Sequence, residues 1–499
     1  MQKNNGGIHL EKSKKSNITL TLAAIFIATF MSSVETTIIT TALPTIVSEL
    51  HGITQESWVF AMYLLTTAVT TPIYGKLADQ LGRKPIFIFG LVTFLIGSIA
   101  CGFSPNIIVL IVSRAIQGIG AGAIMPITFT IIADVFSFER RSNIMAMNNT
   151  AWGISALAGP LIGGFIVDKL NWHWVFFINV PLGILVLGLI VFGYHESSFN
   201  AKKIKIDYPG IVLLSASLIG LLLGLQNLSK QSTSFMFWLI PFITFAAALV
   251  FFIMVERRTE DPLIPLKLFS NRTFSIQITT ALLLSGVQIG FQVYFPMWLQ
   301  SIYHVSASIA GLAITPSPVL WLITSFFVGG LLKRFAPKYI VLPIVVIQTA
   351  FYVPLVFAGT NFPIMMFYVI AGITGAGLGI IITMNTVVAQ ELVPKGNIGT
   401  ASSMLTLGRT LGQTVMTGIF GLVFNFALNQ GVKANKSLTI SKLNNAISSN
   451  TPFRNGHSLQ NAINSVLLNG FHSVFMIAIL LFVILIVLNL FDNTKEIIR

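Results

Sequence analysis

The sequence predicts an all-α polytopic membrane protein of fourteen spans, and three observations lead there. Of the 499 residues, 54% are hydrophobic and only 9% charged, and the mean hydropathy is +0.82, a composition that no water-solvated domain carries without aggregating. The apolar residues fall into long runs, and about 20 mostly apolar residues cross a hydrocarbon core of about 30 Å as one helix. Short charged or Pro/Gly/Asn-rich breaks separate the runs and leave no room for a large soluble domain.

Taken in order, the runs lie near residues 18–42, 57–75, 85–103, 107–132, 143–167 and 174–194, which make a first half. They continue at 209–227, 236–255, 273–298, 306–331, 339–358, 362–390, 397–428 and 467–491. The expected division is a polar tail at 1–17, a six-helix bundle at 18–200, two inserted helices at 201–258 and a second six-helix bundle at 259–499. The first run is too long for a cleaved signal peptide and is expected to remain as a span. The polar stretch at 429–466 contains Ile440, Leu443 and Ile447, then Leu459, Ala462, Ile463 and Val466, at helical spacing. A short helical hairpin and a solvated loop both fit that pattern, because so short a helix is marginal without packing.

Charge orients the chain. An even number of spans puts both termini on one side. Of 30 Lys and Arg residues, Arg114 and Arg409 lie within spans and only Lys169, Lys230, Lys433, Lys436, Lys442 and Arg454 lie opposite the termini, leaving 22 on the terminal side. The positive-inside bias therefore predicts a multi-pass protein of the cell membrane with both termini cytoplasmic. The same distribution explains the net charge of +14: the cations ring helix ends facing anionic lipid, which argues against nucleic acid as a partner. Cys101 is the single cysteine, so neither a disulfide nor a cysteine metal site is expected. No His stands with a carboxylate at a spacing that would make a metal or acid–base site, so an enzyme is not expected.

The two halves repeat. Gly118, Gly120, Gly122 and Asp134 in the fourth span are matched by Gly375, Gly377, Gly379 and Glu391 in the twelfth, at a constant offset, and the basic loop Gly75 to Lys84 has a weaker counterpart in Gly330 to Lys338. Alternating-access carriers are built from such repeats, with the substrate site between them near the midplane. Glycine alternation in an apolar helix serves close helix packing.

Three stretches carry a family resemblance. Gly75-Lys-Leu-Ala-Asp79-Gln-Leu-Gly82-Arg83-Lys84 resembles the signature loop between spans two and three of the major facilitator superfamily. Arg114 with Gln117-Gly118 resembles its fourth-span motif, and Gly153 to Gly164, with Gly159-Pro160 and Gly163-Gly164, resembles its fifth-span antiporter motif. With fourteen spans and Glu35-Thr-Thr-Ile-Ile-Thr-Thr-Ala-Leu-Pro44 closing the first, the chain is similar to the fourteen-span drug:proton antiporters. That family commonly has Asp where Glu35 stands and Asn where Thr41 stands, so here the carboxylate reaches one methylene further. The resemblance implies the major facilitator fold, export of lipophilic or cationic drug-like compounds, protons as the coupling ion with no other cofactor, and a latch on the cytoplasmic side made by Asp79, Arg83 and Asp134. Exporters of a dedicated metabolite, lipid or peptide use the same fold and stay open as an alternative. A monomer in the bilayer is expected.

Physical chemistry points to the same residues. The loop Gly75 to Lys84 is expected to use glycine for tight turns and Asp79 with Arg83 as a charge pair. Gly153, Gly159, Gly163, Gly164 and Pro160 let helices approach and permit a bend. Glu35, Arg114 and Arg409 are the ionisable residues well inside spans, where a charge costs about 2.5–3.5 kcal/mol on insertion scales and is usually paired or functional. Glu35 is nine residues before Pro44 and Arg114 eight after Asn106, about 14 Å and about 12 Å from the same side at 1.5 Å per residue, so the two can meet. Burial favours the protonated acid and Arg114 the carboxylate, so relative movement of the pair would load and unload a proton. Glu35 is also a candidate substrate contact, with proton and substrate competing for it. Trp58, Tyr63, Gln288, Phe291, Gln292, Tyr294, Trp298, Met384 and Asn385 are the candidates for a central cavity, because aromatic, Met and amide groups suit bulky lipophilic cations. Arg409 fits either pairing with carbonyls or a substrate and counter-charge role.

Overall fold

The computed structural model describes residues 16–50, 56–196, 207–229, 235–260, 262–305, 307–435, 438, 439, 443 and 457–492. The polar N-terminal residues before Ser16, the basic run Lys202 to Lys205 and, of the segment in which a hairpin was expected, residues 436, 437, 440–442 and 444–456 lie outside these.

Among the described residues the chain is entirely helical. Fourteen helices of seven or more residues stand in the fourteen places expected. They are α1 Ile18–Glu49, α2 Glu56–Leu81, α3 Arg83–Gly102, α4 Ile107–Val135, α5 Phe138–Lys169, α6 Asn179–Gly193, α7 Tyr208–Ser229 and α8 Phe235–Glu256. The second half has α9 Arg272–Tyr303, α10 Pro316–Ser325, α11 Pro337–Phe357, α12 Ile364–Glu391, α13 Ile398–Ala434 and α14 His457–Leu490.

Ten spans among the described residues are long and apolar enough to cross a membrane, so length and apolarity do not by themselves establish fourteen crossings. The shortfall has physical causes. The apolar runs of α7 and α10 are short, Tyr208–Leu221 and Ile309–Ser325. The expected tenth span is broken into Ala307–Leu312, α10 and Val328–Leu332; the first break precedes Pro316 and Pro318, since proline removes a backbone donor and restricts the residue before it. In α2, hydroxyl side chains serve the neighbouring helix: Thr67 Oγ1 donates to Gly118 O at 3.1 Å and Thr70 Oγ1 to Ile119 O at 3.3 Å.

The repeat seen in the sequence is a repeat of packing. A Cβ on Gly118 or Gly122 would run into Thr66 or Thr70 of α2, and one on Gly120 into Phe94 of α3. Their mates behave alike: Gly375 and Gly379 meet Ser317 and Trp321 of α10, and Gly377 meets Gln348 of α11. Even the supporting hydrogen bond recurs, since Thr324 Oγ1 donates to Ala376 O at 2.9 Å, the repeat-mate of Ile119. Each half therefore seats its glycine helix between two others, one per face.

The halves meet through α2 with α13, α4 with α13 and α5 with α10, while α7 and α8 pair together and α7 also touches α2 and α13. Asn17 N donates to Gly193 O at 2.8 Å, which puts the start of α1 beside the end of α6 on the face where the loop between α2 and α3 also lies. That face, rich in Lys and Arg, is called the basic face below.

Candidate functional site

Glu35 sits midway along α1, and both it and Arg114 of α4 have fully buried side chains in direct ion contact. The second carboxylate oxygen, Oε2, accepts from Asn179 Nδ2 at 2.6 Å. Arg114 Nη1 also donates to Gln117 Oε1 at 2.6 Å, and its Nε donates to Val59 O at 3.2 Å. The Tyr63 ring lies 4.2 Å from the guanidinium carbon. Ser98 closes the network, accepting from Gln117 Nε2 at 2.7 Å and from Asn179 Nδ2 at 3.0 Å. Five helices of the first half, α1, α2, α3, α4 and α6, thus converge on one carboxylate. The depth estimate from the sequence is met. A carboxylate with no exposed surface and both oxygens engaged is closed to a substrate molecule in this conformation, so the direct competition expected at Glu35 does not fit this geometry.

The second charged cluster lies on the basic face. Arg83 Nε is 2.9 Å from Asp134 Oδ2, and Arg83 Nη2 is 3.6 Å from Asp79 Oδ1. Asp79 also reaches across to the other half, where it accepts from Gly399 N at 3.0 Å and Thr400 N at 2.8 Å, capping the start of α13. Burial outweighs these donors and raises the Asp79 carboxyl to about 6. Glu196 accepts from Arg83 N at 2.7 Å and caps α3 in the same way. The expected run of tight turns is replaced by helix: α2 continues to Leu81 and α3 starts at Arg83. Only Gly82 turns, with φ 101°, a conformation that suits glycine. Gly75 is helical, and its missing side chain lets α13 approach through Ser403 and the Gly399 carbonyl. Two further contacts tie the halves on this face: Arg141 Nη1 to Glu391 Oε2 at 3.4 Å, and Gln390 Nε2 donating to Phe129 O at 3.2 Å.

The fifth-span motif lies in α5. Gly159 accommodates Thr37 of α1, Ser33 Oγ donates to Ser155 Oγ at 2.8 Å, and Gly153 faces the Pro318 carbonyl of α10. Gly163 is buried, and Pro160 and Gly164 lie in the same continuous helix.

The cavity candidates divide. Phe291, Tyr294, Trp298 and Met384 are buried. Trp298 stacks on Phe471 at 4.8 Å and Tyr294 meets Phe420 and Phe424, so these two rings hold helices of the second half together, while Phe291 meets Phe295 of its own helix. Asn385 is committed to Gln277 O at 3.1 Å. Gln288 is near Gln413 Nε2 at 3.4 Å, while Trp58, Gln292 and Arg409 are partly exposed. Tyr63 belongs to the Glu35 network and not to the second-half group.

A sequence profile described as the Major Facilitator Superfamily matches residues 25–207 and 209–417. The chain belongs to the major facilitator superfamily. It is a multi-pass membrane transporter of that superfamily and not an enzyme. It is 35% identical to Multidrug resistance protein 3 of Bacillus subtilis over 415 residues, covering 82% of this chain and 80% of that protein. It is 30% identical to Multidrug efflux pump SdrM of Staphylococcus aureus over 414 residues, covering 83% and 91%. Among solved structures it resembles the human organic anion transporter MFSD10, with a TM-score of 0.63 at 14% identity, covering 94% of this chain and 99% of that one. The proton:xylose symporter XylE has a TM-score of 0.60 at 14% identity, with coverages of 93% and 94%. Those two structures carry the superfamily's fold and nothing about cargo.

Several residues of this superfamily member escaped the sequence reading. Asn179 and Ser98 complete the Glu35 site, and a polar residue inside the apolar run Phe176-Phe177-Ile178-Asn179-Val180 was the signal for the first. Glu196, Gly399 and Thr400 complete the Asp79 cluster, and no local pattern marks them. The backbone donors of Gly399 and Thr400 are free only because a helix begins there.

Proposed function

We propose that this chain is a proton-coupled antiporter that exports lipophilic or cationic drug-like compounds from the cell by alternating access. In this reading it has fourteen spans, two six-helix halves around the inserted pair α7 and α8, and the basic face with both termini in the cytoplasm. The buried Glu35–Arg114 pair carries the proposal. A carboxylate placed among five helices, with charge-assisted donors on both oxygens, is a group that can exchange a proton when those donors move. The names of the bacterial relatives, a multidrug resistance protein and a multidrug efflux pump, support the cargo class.

The proposed cycle uses these contacts. With Arg114 and Asn179 in place both oxygens of Glu35 are engaged. A proton arriving from the outer side neutralises it, releases Arg114 towards Tyr63 and Gln117, and removes the ion pair that ties α1 to α4. Loss of the proton to the cytoplasm restores the pair. Substrate bound at the seam between the halves acts on Glu35 through the positions of Tyr63 and Arg114. The Asp79 cluster holds the cytoplasmic ends of α2 and α13 together in the state described above and parts when that side opens.

Purified protein in liposomes tests this with a pH gradient and a membrane potential imposed separately. Exchange of one proton for a monovalent cation is electroneutral, so the pH gradient alone should drive ethidium, whereas a neutral drug should also respond to potential, by about 2.3 kcal/mol per 100 mV per charge. Glu35→Gln should abolish the response to the pH gradient while leaving substrate binding measurable. Unimpaired proton-driven efflux by Glu35→Gln would remove Glu35 from the mechanism.

A further inference from the structure

Arg409 of α13 is, among the described residues, a cation with no anion. Among the described residues it makes no ion pair and no hydrogen bond, and its partners are two indoles, Trp152 of α5 and Trp321 of α10, each ring 5.9 Å from the guanidinium carbon. The Nε of Arg409 is buried without a hydrogen-bond partner, and so are the indole nitrogens Nε1 of Trp152 and Trp321. The side chain as a whole is partly exposed, so the guanidinium fork borders open space. The place is an interface: α5 belongs to the first half, α10 and α13 to the second, and Gly153 next to Trp152 lies against Pro318 of α10. Its depth is interior, since Arg409 is ten residues beyond Gly399, about 15 Å along α13.

Buried donors are nearly always satisfied, and an unpaired charge within a span is usually functional. A guanidinium with two indoles beside it, all with unpartnered N–H groups among the described residues, is a donor set that an acceptor would complement. Tryptophan and arginine have no acceptor atoms to offer in return. A cationic head group would meet Arg409 as a like charge, while a carboxylate would receive charge-assisted, forked hydrogen bonds with aromatic walls on either side.

We propose that Arg409, Trp152 and Trp321 form a donor-only clamp at the seam between the halves, which binds the carboxylate of an amphipathic organic acid or zwitterion. The proposal rests on the exporter reading and extends its cargo from cations and neutral compounds to acids. Because α5 and α10 come from different halves, the clamp is complete only when those helices are together, and it comes apart when they separate. Export of a monoanion against one entering proton moves negative charge out and positive charge in, so acids would be driven by membrane potential where monovalent cations are not.

Equilibrium binding to the purified full chain in nanodiscs of zwitterionic lipid tests the clamp, with no gradient present. The probes share one ring system and differ in head group: 1-pyrenebutyrate, its neutral amide and 1-pyrenebutylamine, followed by quenching of tryptophan emission. The acid is expected to bind at least about tenfold more tightly than the amide, and the amine more weakly still. Arg409→Gln should erase the preference for the acid, and Arg409→Lys should retain part of it. Trp321→Phe, which keeps a ring and loses the N–H, should weaken the acid more than the amide. Equal binding of acid and amide to the unmodified protein overturns the clamp, as does a preference that survives Arg409→Gln. Should Arg409→Gln fail to fold, the head-group order in the unmodified protein and Trp321→Phe decide. Ethidium flux under a pH gradient is read in parallel: acid preference without ethidium flux removes the exporter reading and leaves the clamp, and flux without acid preference removes the clamp.

Discussion

At the scale of single residues, the site is an arrangement of donors around one acid. Asn179 Nδ2 donates to Glu35 Oε2 at 2.6 Å, so it holds one oxygen of the acid while Arg114 holds the other. Replacing Asn179 with Leu takes that donor away and leaves a buried oxygen without a partner, at a cost of about 1–3 kcal/mol. Proton-driven transport is expected to fall, and unchanged transport by Asn179→Leu would reduce Asn179 to a packing role. Arg114→Met strands a buried carboxylate, and breaking a buried pair from one side destabilises by about 3–5 kcal/mol. The double variant Glu35→Gln with Arg114→Met should recover much of that loss, measured as the thermal unfolding midpoint of the purified protein.

Helix contacts explain why glycine recurs where it does. The repeat-mates Gly118 and Gly375 each stand against another helix's backbone, Tyr63 in one half and Ser317 in the other. Alanine at either position must push α4 from α2 or α12 from α10, an overpacking cost of about 1–3 kcal/mol. Gly421 in α13 has nothing within 4 Å of a Cβ, and Gly421→Ala should raise stability by about 0.5–1 kcal/mol. Thermal unfolding of the three variants side by side checks the contrast, and similar midpoints for all three would mean that the close approaches carry no strain. The same reasoning applies to Gly82, whose φ of 101° makes any larger residue there strained regardless of space.

Across the whole molecule, the contact of the halves on the basic face depends on pH through Asp79. Its carboxyl is raised to about 6 in the closed arrangement by burial, and an Asp in water has a value of about 3.9. The proton therefore favours the closed arrangement. That preference is complete below the solvent value and fades as pH rises through about 6. Acidifying this face from neutrality to about pH 5 should draw the ends of α2 and α13 together, read as a shorter distance between spin labels at those ends. In Asp79→Asn the distance should no longer respond to pH. A response of the same size in that variant would assign the effect to another group. In the second half the matching Gly-led basic loop keeps to its own half, where Lys338 Nζ donates to Leu490 O at 2.8 Å.

Much of this protein was legible in one dimension because a bilayer imposes its own pattern. Every span must satisfy its backbone internally, so apolar length alone reports helices in order. A charge within such a run stands out, which made Glu35, Arg114 and Arg409 readable. The repeat was legible as well, since a glycine needed for close approach cannot be replaced without moving a helix. What only the tertiary structure decided is who meets whom. Asn179 and Ser98 complete the acid site, Asp79 caps a helix 320 residues away, and Phe291, Tyr294 and Trp298 turn into the packing of the second half. Arg409 has two indoles beside it and, among the described residues, no acceptor for its protons. Those outcomes depend on the rotation of each helix about its axis, and in a helix hydrophobic all round no periodicity in the sequence records that rotation.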